Sequence, residues 1–275
     1  MKIYTNLKKY IAASFLILLT FIFYSCEEII EIDLNSADPK IVIEGTVTAQ
    51  PGPYTVTITK TADYYNPGTY PTVSGAVVSI ADSNGFFEEL VETAAGIYQT
   101  DSLQGTPGRT YTLTVTVEGQ TYSAISSMPL PTEIDSLLYE ENEEGVRPRD
   151  KKGYALTIKF TDESGVEDFK RVKIYRNGNL QDGYFLYNGR LSDGNVIEFD
   201  RIHTAFELND YVYVELLSID EPTYEYYSTL GNAVASSGGS KIQTKIPANP
   251  ISNLSGGALG YFGAFTVRSD SVQIQ

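Results

Sequence analysis

Alternation of apolar and polar residues recurs in short runs along most of the chain. In residues 110–117 tyrosine, leucine and two valines alternate with four threonines, and residues 54–60 follow the same period. A period of two places the apolar side chains on one face of a half-buried strand. Glycine and proline separate such runs at intervals of roughly eight to twelve residues, which is typical of antiparallel sandwiches. The pattern therefore predicts a mainly β protein.

The first group of runs predicts an Ig-like or transthyretin-like β-sandwich of about seven strands over residues 38–131. Besides the two runs above, its predicted strands are residues 41–48, 75–80, 96–100 and 121–126. The group ends at Met128-Pro129-Leu130-Pro131, because proline cannot donate a ladder hydrogen bond and stiffens the chain. We therefore predict a domain boundary after residue 131.

Residues 132–275 predict a C-terminal β-rich domain, so that two antiparallel β-sandwich-like domains follow one another. Its predicted strands are residues 154–160, 169–176, 183–187, 196–199, 211–219, 260–267 and 271–274. One short helix interrupts them, which Asp220 can cap and Gly231 can end. We interpret the tyrosines of this helix, Tyr224 and Tyr227, as core packing rather than as a binding stripe.

Residues 1–25 have the features of a lipoprotein signal peptide. Lys8-Lys9 precede an apolar stretch over residues 11–24, which is too short to span a bilayer comfortably as a helix. The small residue Ser25 then precedes Cys26, the sole cysteine of the chain. We predict that acylated Cys26 inserts into membrane lipid and that residues 26–37 form a tether. The alternatives are an ordinary secretory signal and an uncleaved anchor.

Net charge restricts the classes of partner. Cleavage before Cys26 removes three lysines and no acid, so that the net charge falls from −15 to −18. Nucleic acid and anionic membrane surfaces are therefore excluded as expected partners. The acidic charge also suits binding of cations or basic peptides, although a solvated acidic surface is the preferred explanation.

Residues typical of catalysis are scarce. His203 is the sole histidine and stands in no known catalytic or metal-binding motif, and a lipidated Cys26 leaves no thiolate. We therefore predict no enzyme activity, no catalytic residue, no metal site and no cofactor. The acidic pairs Asp162-Glu163 and Glu167-Asp168 leave calcium binding open, although their spacing does not match an EF-hand loop.

Two segments fall outside the strand pattern. Residues 140–152 change from an acidic to a basic block and predict an exposed connector. Residues 61–72 predict a loop that carries Tyr64, Tyr65 and Tyr70 among prolines and a glycine. Tyrosine offers a rigid amphipathic contact surface, so these three side chains are candidate ligand or partner contacts. The alternative is that they pack over the edge of the sandwich.

Four segments of the first half resemble the transthyretin-like sandwich known as the carboxypeptidase regulatory-like domain. They are Gly45-Thr-Val-Thr, Val73-Ser-Gly-Ala-Val-Val-Ser-Ile80, Gly96-Ile-Tyr-Gln-Thr100 and Gly108-Arg-Thr-Tyr-Thr-Leu-Thr-Val115. The whole chain after Cys26 resembles a Bacteroidetes lipoprotein family known as a domain of unknown function, number forty-two forty-nine. The most specific part of this second resemblance is Asn253-Leu-Ser-Gly-Gly-Ala-Leu-Gly-Tyr-Phe262.

This second resemblance implies an outer-membrane lipoprotein that is encoded beside a TonB-dependent receptor, and it transfers no catalytic residue. Glu27-Glu28 also resemble the acidic signals that export lipoproteins of this phylum to the cell surface. The expected function is a non-enzymatic binding accessory to the receptor in ligand capture or uptake. The alternatives are a structural or adhesive surface module and a hydrolase.

Overall fold

The computed structural model describes most of the chain from residue 38 onwards. The described residues are 38–62, 68, 70–142, 153–190, 194–200, 205–237 and 249–275. Cys26, the predicted tether and His203 lie outside them. The segment Asp38–Gln275 forms one compact unit, which is mainly β. Within the residues just given, no helix is long and apolar enough to cross a membrane.

Eight strands precede the proline segment at residues 129–131. They are β1 (Ile41–Thr48), β2 (Thr55–Lys60), β3 (Val77–Asp82), β4 (Phe87–Glu89), β5 (Val91–Ala94), β6 (Ile97–Gln99), β7 (Thr110–Val117) and β8 (Gln120–Ser127). The predicted bounds of β1 and β7 are confirmed, because both runs alternate without interruption. The short strands β4 and β5 were not predicted.

Eight further strands and one helix follow. They are β9 (Ile134–Asn142), β10 (Gly153–Thr161), β11 (Phe169–Arg176), β12 (Asn179–Leu180), β13 (Phe185–Asn188), β14 (Val196–Phe199), β15 (Tyr211–Ile219), α1 (Glu221–Ser237) and β16 (Leu259–Gln273). Strand β9 takes up residues 140–142, which the sequence assigned to an exposed connector.

Three sheets build the fold. The largest has the order β12-β11-β15-β16-β1-β2-β6-β5, and β13 pairs with the same edge of β11 as β12 does. A four-stranded sheet has the order β4-β3-β7-β8, and a three-stranded sheet the order β14-β10-β9. The four-stranded sheet shares a core with β1, β2 and β6, and the three-stranded sheet shares a second core with β11 and β15. Two sandwiches thus share one large sheet.

Strand β16 joins the two sandwiches. Its first half, residues 259–265, pairs in parallel with β1, and its second half, residues 266–273, pairs antiparallel with β15. Phe262 and Ala264 are fully buried in the first core. The sequence predicted two strands here, and the structure has one of 15 residues. The last strand of the second segment therefore completes the sheet of the first, while the predicted boundary after residue 131 stays a prediction.

Helix α1 covers the opposite face of the large sheet. Along β16, Tyr261 and Phe265 alternate with the residues of the first core and contact Tyr226 and Tyr224 of the helix. Asp220 caps the helix as predicted, because its Oδ1 accepts a hydrogen bond from the Thr223 N–H at 3.1 Å.

The predicted end of the helix at Gly231 is wrong, since the helix continues to Ser237. A glycine inside a helix costs only about 1 kcal/mol, so it does not by itself end the helix. The absence of a side chain at this position has a packing reason. A Cβ on Gly231 would lie 3.3 Å from the Tyr184 ring, so glycine permits the close approach of that tyrosine.

Candidate functional site: an arginine in a tyrosine-walled cavity

The predicted contact residues on the tyrosine loop are only partly described. Tyr64 and Tyr65 lie outside the described residues, and the side chain of Tyr70 is 62% exposed. The base of the loop is closed by a 2.8 Å hydrogen bond from the Lys60 N–H to the Pro71 carbonyl. Thr61 in turn donates to the carbonyl of Lys40 at 3.0 Å. The loop therefore starts beside the point at which the chain enters the fold.

A cavity of about 890 Å³ lies between helix α1 and the segment that contains the edge strands β12 and β13. Three parts of the chain contribute to its wall. They are Arg171 of β11, residues 180–186 of the segment with β12 and β13, and Phe199 with the helix side chains Tyr224, Tyr227, Ser228 and Val234. A volume of this size is typical of small-molecule sites, which occupy roughly 300–1,000 Å³. The cavity is therefore the candidate ligand site.

Alternation along β11 explains why an arginine faces this cavity. Val172 and Ile174 point into the second core and are buried. The residues that alternate with them along the strand point to the opposite face of the sheet. On that face the Phe169 ring lies 5.0 Å from the Tyr224 ring. Arg171 belongs to that second set, so that its side chain meets helix α1 rather than the core.

Two tyrosines hold the guanidinium of Arg171. Its Cζ lies 3.8 Å from the ring centroid of Tyr227 and 5.8 Å from that of Tyr184. These distances are within the range of cation–π attraction. Its Nε is buried and has no hydrogen-bond partner among the residues that the structure describes. A buried donor without an acceptor is costly, so this guanidinium is not held by the hydrogen bonds that usually satisfy a buried arginine.

Arg171 differs from the other arginines of the described chain in lacking a carboxylate partner. The other four pair with Asp82, Asp210, Glu221 and Glu133, and they are Arg109, Arg176, Arg190 and Arg268 respectively. In a chain of net charge −15, acids are plentiful. The guanidinium in the cavity is thus the one in this part of the chain whose charge no described acid neutralises.

Tyr227 belongs to a buried cluster of three tyrosines, with Tyr226 and Tyr261. The Tyr226 and Tyr261 rings stack at 4.5 Å, and the Tyr227 hydroxyl donates a hydrogen bond to the Tyr261 hydroxyl. Burial raises the pKa of Tyr226 to about 12 and the pKa of Tyr261 well above its usual range. All three phenols therefore stay neutral at physiological pH, and none supplies the negative charge that Arg171 lacks.

A second buried polar group lies at the end of the three-stranded sheet. Lys170 and Asp168 form an ion pair at 2.6 Å, and the two side chains are 2% and 6% exposed. Burial, together with the hydrogen bond and charge of Asp168, raises the pKa of Asp162 to about 6. Among the described residues, no cluster of three or more metal-binding side chains occurs. Glu163 and Glu167, which the sequence grouped with these aspartates, are exposed.

Comparison with known families shows to which family the chain belongs. The model of the family described as "Domain of unknown function (DUF4249)" matches residues 27–271. The chain belongs to this family. The match covers both sandwiches and the cavity of this DUF4249 chain, and it confirms the family that the sequence resembles. No curated protein matches the chain.

The sequence did not single out Arg171 or the cavity. The available signal was the run Phe-Lys-Arg-Val-Lys-Ile-Tyr-Arg, in which one strand face carries an aromatic residue, Arg171, Lys173 and Tyr175. Which element covers that face is a tertiary fact, and the tyrosines of α1 gave no sign of an arginine partner. Their interpretation as core packing is confirmed for Tyr227, which is buried and also lines the cavity.

Proposed function

We propose that this protein is a non-enzymatic lipoprotein of the outer membrane that binds a ligand for uptake by a TonB-dependent receptor. The observation that carries the binding role is the cavity of about 890 Å³ with its unpaired arginine. A rigid β scaffold holds the strand that positions Arg171, as ligand sites require. The receptor partner and the membrane location rest on the family resemblance and on Cys26.

The proposed anchor is acylated Cys26, with residues 26–37 as the tether. Replacing Cys26 by Ser removes the acyl acceptor, while the described cores begin beyond residue 38. We expect the Cys26→Ser protein to fold and to leave the membrane pellet. Membrane fractionation after a high-salt wash measures this, and a variant that stays in the pellet would contradict the anchor.

The proposed contact with the receptor involves Tyr64, Tyr65 and Tyr70. Tyr70 is exposed on a loop that begins beside Lys40, and an exposed tyrosine can bury a large area against a partner. Interface tyrosines commonly cost more than about 1 kcal/mol each on truncation, so changing all three to Ser should weaken receptor binding well over tenfold.

Co-purification from native membranes followed by mass spectrometry measures this binding. Tyr211→Ser is the matched control, because Tyr211 is 49% exposed and lies on β15 rather than on the tyrosine loop. Unchanged receptor recovery with the triple variant would remove the contact role, and a lower melting temperature with unchanged recovery would assign the loop to packing. Failure of the wild-type chain to recover any TonB-dependent receptor would overturn the accessory function itself.

The alternative function, a structural or adhesive surface module, is favoured by one observation. Phe87 and Ile125 are 65% and 59% exposed and lie in one cross-strand row on the outer face of the four-stranded sheet. Exposed apolar side chains on a sheet face are typical of protein contacts. Phe87→Ser with Ile125→Ser should abolish adhesion under this alternative and leave ligand binding unchanged under the first.

A further inference from the structure

We propose that the cavity binds a carboxylate attached to an aromatic or apolar body, with Arg171 as the carboxylate receptor. This inference rests on the proposed binding function and specifies the chemistry of its ligand.

The orientation of the guanidinium favours an anion with two oxygens. The Tyr227 ring lies against the guanidinium, with its centroid 3.8 Å from Cζ, and a cation–π contact of this kind uses none of the N–H donors. The buried Nε–H is without a partner in the described structure. A carboxylate that approaches end-on accepts from the two terminal nitrogens of the guanidinium together, which is a bidentate geometry that lysine cannot offer.

The surrounding charges favour a carboxylate over a phosphate. Arg171 is the only cationic side chain that lines the cavity among the described residues, and Asp182 lines the same space. A single carboxylate balances one guanidinium, whereas a phosphate that carries close to two negative charges would be left partly unpaired beside Asp182. The expected ligand is therefore monoanionic at the point of recognition.

The rest of the cavity wall indicates that the part of the ligand outside its carboxylate is apolar or aromatic. Leu180, Phe185, Leu186 and Val234 contribute apolar surface, and Tyr184 and Tyr227 contribute aromatic rings. Aromatic and apolar ligand groups gain free energy by leaving water for such a wall. The volume of about 890 Å³ exceeds that of a single ring, so it admits a compound of the size of an acylated aromatic amino acid or larger.

Isothermal titration calorimetry with two matched probes tests the proposal. N-acetyl-tryptophan carries the carboxylate, and N-acetyl-tryptophan amide has the same body without the charge. We expect the acid to bind about 10- to 100-fold more tightly than the amide, because hydrogen bonds to charged groups contribute about that factor. Inorganic phosphate is the third probe, and we expect it to bind more weakly than the acid.

Variants of β11 assign the difference to Arg171. Arg171→Met should remove the preference for the acid, and Arg171→Lys should retain only part of it because lysine lacks the planar fork. Lys173→Met is the matched control, since Lys173 lies on the same strand face, pairs with Glu215 at 3.6 Å and does not line the cavity. This control should bind both probes as the wild type does.

A cavity-filling variant tests the same site without changing Arg171, so the proposal stays testable if the Arg171 variants misfold. Ser228→Trp places a large ring in the cavity from helix α1 and leaves Arg171 in place. We expect it to keep the wild-type melting temperature within a few degrees and to lose binding of both probes.

Equal binding of acid and amide, tighter binding of phosphate, or no binding of either tryptophan probe would each overturn the proposed ligand chemistry. None of these outcomes bears on receptor recovery, which tests the proposed function separately.

Discussion

The two sandwiches bury different kinds of side chain. The first core, under the four-stranded sheet, consists of alternating aliphatic residues and tyrosines whose hydroxyls find partners. Tyr98, for example, donates to the Val73 carbonyl at 3.2 Å and accepts from the Ala76 N–H at 3.0 Å. The second segment buries a cluster of charged residues, Asp162, Asp168 and Lys170, whereas the buried carboxylate of Asp82 in the first is paired with the partly exposed Arg109.

This difference extends to unsatisfied atoms. Every buried side-chain atom without a hydrogen-bond partner in the described structure belongs to the second segment or to β16, and none belongs to β1–β8. These atoms are Asp162 Oδ2, Asp168 Oδ1, Arg171 Nε, Thr223 Oγ1 and Thr266 Oγ1, whereas Asp168 Oδ2 is paired with Lys170. Such groups cost about 1–3 kcal/mol each, more when charged. In the first sandwich the described buried side-chain polar atoms therefore have hydrogen-bond partners. The second segment holds buried polar atoms whose missing partner a ligand or a proton can supply.

The largest expected effect is the loss of folding when the two segments are separated. Residues 38–131 alone lack Phe262 and Ala264, which belong to the first core, and leave β1 without its parallel neighbour. We expect this fragment to show no cooperative thermal transition by circular dichroism. A fragment in which residues 249–275 follow Pro131 through a flexible linker of about 15 residues should regain one.

A cooperative transition of the fragment without β16 would instead confirm the predicted boundary after residue 131. In that case β16 would be a late addition to a sandwich that folds by itself. The comparison between the two segments would then describe two domains rather than two regions of one.

A smaller effect is expected from Phe262→Ala. This fully buried side chain comes from β16 but packs in the first core, so its loss leaves a cavity there. We expect a loss of about 3–5 kcal/mol in the free energy of unfolding, measured in urea. Phe87→Ala is the matched control, because Phe87 is 65% exposed and should change stability by no more than about 0.5 kcal/mol. Equal effects would show that β16 does not stabilise the first core.

A pH-dependent effect distinguishes the aspartates of the two segments. The pKa of Asp162 is raised to about 6 by burial and by Asp168, so the folded state holds a proton that the unfolded state loses near pH 4. Stability should therefore fall as pH rises from about 4 to 6. Asp162→Asn should remove this fall and stabilise the protein at pH 7 by up to about 3 kcal/mol, because an amide keeps the hydrogen bonds without the charge.

Asp82 of the first sandwich gives the opposite sign. Although burial alone would raise the pKa of Asp82, hydrogen bonds from the Phe86 N–H and from Arg109 lower it. Its contribution is present above the unfolded pKa and is lost as pH falls, so Asp82→Asn should destabilise the protein at pH 7. Urea unfolding at several pH values measures both variants. A destabilised Asp162→Asn protein at pH 7 would contradict the raised pKa.

Much of the fold could be predicted from local alternation. The bounds of β11, β14 and β15 in the second segment match the predicted runs, as do those of β1 and β7 in the first. Strand β9 was missed because Leu137-Leu138 interrupt its alternation and acids follow. Pairing between β1 and β16 could not be predicted, since period two indicates a strand but not its distant partner.

The candidate site was harder to predict than the fold. Tyr70 stands out in the sequence because aromatic residues are unusual in a proline-rich loop. Arg171 does not, since basic residues on a half-buried strand usually face solvent. Its significance depends on α1 covering that strand face and on no described carboxylate lying beside it. Both conditions arise only when distant parts of the chain pack together.

The parallel pairing of β1 with β16 sets an order of assembly. A polypeptide that emerges N-terminus first, from a ribosome or through an export channel, leaves one edge of β1 open until residues 259–265 appear. Pairing of strands from opposite ends of a chain is slow, because the entropy of closing the long loop is lost before the contacts form. The sheet therefore closes only after residues 259–265 have emerged, and β1 lacks its parallel neighbour until then.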